Sequence, residues 1–70
     1  MTVYDFVLDI WTHAPEGHDE HMTSAFAANI ISGIAEDERV VFPDDLTPEL
    51  FASIWNELVD SFIKDNEQEV

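Results

Sequence analysis

Residues 47–64 read TPELFASIWNELVDSFIK, and this stretch decides the fold class. Thr47 is placed to cap a helix, its hydroxyl accepting a hydrogen bond from an orphan N–H of the first turn. Pro48 then takes the first helical position, where its fixed φ suits the helix and no N–H is needed. Glu49 lies at the positive end of the helix dipole. Leu50, Phe51, Ile54, Trp55, Leu58, Val59, Phe62 and Ile63 recur as adjacent pairs at helical spacing. At roughly 100° per residue they cover an apolar arc of about 220°, wider than one neighbouring helix can bury. Either two other helices cover it, or a symmetric dimer does so by burying Phe51, Trp55 or Phe62.

Outward from this helix, residues 2–14 place Val3, Phe6, Val7, Ile10, Trp11 and Ala14 on a helical stripe. Thr2 with Asp5 resembles a capping arrangement, and Asp5 and Asp9 fall on the opposite face. Tyr4, Phe6, Leu8 and Ile10 also alternate, so a strand is the competing reading. Pro15 and Gly17 break the chain, after which His18 or Asp19 can open a second helix. Its main stripe is Met22, Phe26, Ile30 and Ile34, with Ala27 and Ile31 alongside. Pro43 pushes Phe42 towards an extended conformation. Val40–Phe42 therefore either plugs one end of the core or forms a short strand. The tail after Lys64 is polar and expected to fray. The expectation is one all-α domain over residues 1–70, with helices at about 3–14, 19–35 and 48–64. The alternative is α+β, with an N-terminal strand paired to 40–42.

Composition supplies the functional clue. Sixteen Asp and Glu stand against one Lys and one Arg, a formal net charge of −14 on 70 residues, with no Cys. Five Phe, two Trp and one Tyr separate the chain from acidic disordered tails, which lack aromatics. No apolar run approaches the roughly 18 residues that span a bilayer, and no basic leader region precedes the first apolar residues. The expected location is the cytoplasm, with no membrane partner. Anionic lipid and nucleic acid would both be repelled, so direct nucleic-acid binding is not expected and a basic partner is.

His13, Glu16, His18, Asp19, Glu20 and His21 crowd one loop, but they match no metal-ligand spacing, and neither metal nor cofactor is expected. Ser24 near His21 lacks an oxyanion turn, and the carboxylates lack the burial that makes a general acid. The chain is read as a non-enzyme.

The charge has three readings. In the first, carboxylates stand in for phosphates. Positions i and i+4 of a helix rise about 6 Å, comparable with the roughly 6–7 Å between phosphates along one strand. Asp5 and Asp9 fit that spacing, Glu49, Glu57 and Asp60 share an exposed arc, and Glu36, Asp37, Glu38, Asp44 and Asp45 form a dense cluster. Such a surface enters the basic groove of a nucleic-acid-binding protein, such as a nuclease or effector complex. In the second, the acidity is salt adaptation. In the third, the chain is a helical adaptor or dimerisation module that docks an apolar groove on a partner helix. In size and composition the chain resembles small acidic inhibitors made by bacteriophages: anti-CRISPR and anti-restriction proteins, and inhibitors of uracil-DNA glycosylase. This resemblance of kind implies a basic protein partner in the host cytoplasm and no specific residues.

Overall fold

The computed structural model describes residues 2–67. The chain forms α1 (Val3–Thr12), a 3-10 turn (Pro15–Gly17), α2 (Ser24–Ala35) and α3 (Pro48–Glu67). Each α-helix begins at a threonine. The Thr2, Thr23 and Thr47 hydroxyls accept from the N–H groups of Asp5, Phe26 and Leu50 at 3.1, 3.2 and 3.1 Å. Each bond satisfies one donor that the first turn would otherwise leave orphaned.

The wide apolar arc of α3 is covered from two sides within one chain. α1 and α2 each pack along α3 and not along each other. Phe51 and Val59 are fully buried and Trp55 and Ile54 nearly so, against Val3, Phe6 and Val7 of α1 and Ala27 of α2. Phe6 meets Phe42, just ahead of α3, with ring centroids 5.5 Å apart. Trp11, near the other end of α1, meets Phe62 late in α3 at 6.0 Å. α1 therefore runs in the same direction as α3. α2 runs the opposite way, since the segment entering it is tied to the middle of α3 and the segment leaving it returns to Pro48.

That tie is polar. Asn56 Oδ1 accepts from the Met22 N–H at 2.8 Å, and its Nδ2 donates to the Met22 carbonyl at 3.0 Å. One amide side chain thus replaces both strand-like partners of a residue that lies outside any helix. The Trp55 indole N–H donates to the Glu20 carbonyl at 2.8 Å. Gly17 packs directly on that ring, where an added Cβ would lie 3.1 Å from Cζ2. The glycine lets the 3-10 turn close over the indole.

The boundaries differ from the sequence expectation in places with physical causes. α1 ends at Thr12 rather than 14, where the His13 N–H and ring Nδ1 both turn back to the Asp9 carbonyl. α2 starts at Ser24 rather than 19, because Thr23 caps it while residues 20–22 are held in hydrogen bonds to α3. Its buried face centres on Ala27, and Phe26, expected on the core stripe, is 56% exposed. Met22, Ile30, Ile31 and Ile34 are partly buried against the core, as the stripe predicts.

No strand forms among the described residues, so the α+β alternative fails. Thr2 commits the N-terminal segment to helix, which leaves 40–42 no strand to pair with. There Val40 and Phe42 pack on the core, whereas Val41, expected to plug it with them, is 83% exposed. The tail expected to fray is helical to Glu67; residues 68–70 of it, like Met1, lie outside the described residues.

The two tryptophans differ in one respect that mutation can read. The Trp11 indole N–H is buried with no acceptor among the described residues, whereas that of Trp55 is bonded. Trp55→Phe should therefore lose a hydrogen bond as well as volume, costing about 2 kcal/mol, while Trp11→Phe should cost less than about 1 kcal/mol. Urea unfolding of both variants checks this; equal costs would show that the N–H groups do not distinguish the sites.

Candidate functional site: an uncompensated acidic surface

No polar or charged side chain is buried among the described residues. The apolar core is built without carboxylates, and every carboxylate singled out from the sequence lies on the surface. Asp5 and Asp9 are exposed on α1, and Glu49, Glu57 and Asp60 on α3. Glu36, Glu38, Asp44 and Asp45 are exposed in the connection between α2 and α3, and Asp37 is half-buried there.

The helix directions bring most of these groups to one end of the molecule. α1 and α3 run together, so their N-termini share an end with the connection that leads into α3. Asp5 lies in the first turn of α1, Glu49 in the first turn of α3, and Asp44 and Asp45 just ahead of it. The positive ends of both helix dipoles favour carboxylates there. Glu36, Asp37 and Glu38 arrive at this end from the C-terminus of α2, where the dipole has the opposite sign and opposes them. Asp9, Glu57 and Asp60 lie further along the helices and do not belong to this pole.

Little positive charge answers it. Among the described residues, the Arg39 guanidinium pairs with Asp37, with Nε–H donating to Oδ1 at 3.1 Å and Nη2–H to Oδ2 at 3.3 Å. The Arg39 N–H donates to the same carboxylate at 3.0 Å. These bonds hold the Asp37 carboxyl below its ordinary value, the side-chain contact being the larger cause and the backbone N–H the second. The Asp9 and Asp60 carboxylates lie 3.6 and 2.6 Å from the His13 and His21 rings, which answer them with positive charge only when protonated. Asp5, Glu36, Glu38, Asp44, Asp45, Glu49 and Glu57 have no ion pair among the described residues.

The histidines of the loop go to separate places. His13 turns to Asp9. His18 stacks on Trp11 with centroids 3.9 Å apart and donates through Nε2 to the Trp11 carbonyl at 2.9 Å. His21 reaches Asp60. No group of three or more His, Cys, Asp or Glu is arranged to hold a metal ion among the described residues. The His13–Asp9 contact is local, four residues apart, whereas the His18–Trp11 and His21–Asp60 contacts depend on the fold, the first closing the 3-10 turn onto α1 and the second spanning 39 residues.

Of the residues considered for self-association, Phe51 and Trp55 lie inside the monomer's own core and Phe62 is half-buried against Trp11 and His18. The surface that the sequence offered as a dimer interface is the seam between helices of one chain. No helix is long and apolar enough to cross a membrane among the described residues. No protein-family model, curated protein or solved structure matches the chain.

Two measurements test this electrostatic description. Self-repulsion among exposed carboxylates is screened over about 10 Å at 0.1 M salt. The melting temperature should therefore rise as sodium chloride is added from low ionic strength to about 0.5 M, and a flat or falling curve would contradict a repulsive surface. In Arg39→Ala, the Asp37 carboxyl should titrate closer to its ordinary value, followed by NMR of its side-chain carbon. The sign follows from the contact: the folded-state value lies below the unfolded one. The contact therefore adds stability above the unfolded value, and that stability is lost as pH falls through the folded value. With Arg39 90% exposed, the contribution is small.

Proposed function

We propose that this protein is a non-enzymatic inhibitor that presents carboxylates in place of nucleic-acid phosphates and occupies the basic groove of a nucleic-acid-binding protein. The observation that carries this reading is the pole formed by Asp5, Glu36, Glu38, Asp44, Asp45 and Glu49, exposed and without ion pairs among the described residues. A groove lined by Lys and Arg supplies the missing cations. Binding there releases the counterions held by both partners, which gives affinity without any need for apolar burial. Asp5 and Asp9 add a pair at about 6 Å rise along α1, close to a phosphate repeat. The partner class is a nuclease or effector complex, as for phage anti-CRISPR and anti-restriction proteins, and the place of action is the cytoplasm of the host cell. The adaptor alternative is weakened because the α3 face it would have used is covered by α1 and α2.

The test is retention of proteins from bacterial lysate on the immobilised full chain at about 50 mM and about 200 mM salt. A mimic making several phosphate-like contacts loses on the order of 10³-fold in affinity over that range. The retained proteins should be nucleic-acid-binding, should be released by duplex DNA, and should be retained less by the double variant Asp44→Asn/Asp45→Asn. Retention that survives salt and DNA would favour the adaptor. A chain that folds only in molar salt would favour salt adaptation.

A further inference from the structure

A shallow cleft of about 400 Å³ opens between the 3-10 turn and α2, away from the acidic pole. Met22, Phe26 and Ile30 form one wall, and Trp55 lies at its base. Phe26 is 56% exposed, an unusual place for a phenylalanine on a small and highly charged domain. The volume lies at the low end of the range for small-ligand pockets. Its rim is acidic: Glu16 and Glu20 are both exposed at its edge. The one basic group there, His21, is bonded to Asp60. Apolar walls beneath an acidic rim are complementary to an apolar side chain with cationic neighbours.

We propose that this cleft is a second contact surface, which takes an apolar side chain of a partner segment in which Lys or Arg flank that side chain. A second copy of this chain is the wrong counterpart. It brings a formal charge of −14 and its own acidic rim to the same place, and like charges brought together oppose association. An amphipathic basic helix fits instead, laying its apolar residue between Phe26 and Ile30 while its ammonium or guanidinium groups reach Glu16 and Glu20. The cleft is pre-formed: Gly17 lies on the Trp55 ring, and the Trp55–Glu20 hydrogen bond fixes the base to the rim. The contact is independent of phosphate mimicry, because it uses a different surface and needs burial of apolar area.

The test titrates the ¹⁵N-labelled full chain with two synthetic peptides of equal length and charge. One is built from Leu and Lys, and in the other each Leu is replaced by Ser. The Leu/Lys peptide should shift the amides of Gly17, Met22 and Phe26 and bind about tenfold more tightly than the Ser/Lys peptide, the gain expected from burying one aliphatic side chain. Phe26→Ser, at an exposed position whose folding is checked by circular dichroism, should abolish that difference. Glu16→Gln/Glu20→Gln should weaken binding of the Leu/Lys peptide and flatten its salt dependence. Equal binding of the two peptides, or shifts confined to residues 36–46, would overturn the proposal. So would a dimer of the free chain that Phe26→Ser converts to monomer, because a second copy would then be the occupant. Lysate retention that depends on Asp44 and Asp45 is unaffected by any of these outcomes, so failure of the cleft and failure of the mimic are read separately.

Discussion

The fold depends on one seam, the burial of Phe51, Trp55 and Val59 along the centre of α3. α1 and α2 do not pack on each other, so α3 is the one α-helix that either of them rests on. Removing the seam would leave isolated helices of 10 and 12 residues, a length at which helices are marginal in water. The consequence is an elongated body, 44 × 22 × 20 Å. Its accessible surface of 4984 Å² compares with about 4,450 Å² for a compact monomer of this mass.

Polar contacts then fix how the two short helices sit on that seam. Burial is non-directional, and an apolar arc of about 220° would accept several placements of α2. Asn56 and the Trp55 N–H remove that freedom, each bonding to backbone groups of residues 20–22. These residues lie in the irregular segment before Thr23, which explains why α2 begins late. A segment whose N–H and C=O are already satisfied gains little by joining a helix.

The central helix was legible in the sequence because all its signals agreed: a Thr cap, Pro at the first position and an uninterrupted stripe. The class of α1 was legible for the same reasons, although alternation of Tyr4, Phe6, Leu8 and Ile10 competed with them. The facing of α2 was legible in part. Met22, Ile30 and Ile34 of its stripe do pack on the core, but Ala27, which read as flanking, is the fully buried residue and Phe26 turns outward, because the smaller side chain suits close approach of two helices. The acidic pole was not visible as such. Asp5 and Glu49 are far apart in the chain, and only the parallel run of α1 and α3 puts their first turns at one end. Glu16 and Glu20 read as loop charge until the 3-10 turn folded over Trp55 beside Met22 and Phe26.

The distribution of charge bears on its purpose. The core contains no carboxylate, so nothing in the packing requires acidity, and mutual repulsion works against so small a fold. Part of that cost is reduced by position: Asp5 and Glu49 lie in the first turns of α1 and α3, where the dipole favours them. Glu36, Asp37 and Glu38 have no such support. They follow the C-terminus of α2, where the dipole repels anions, and only Asp37 is relieved, by Arg39. A sequence shaped by helix stability alone would place Lys or Arg at that terminus. These three residues are therefore the part of the surface whose placement the fold explains least. They are also the part for which the proposed basic groove would account most directly.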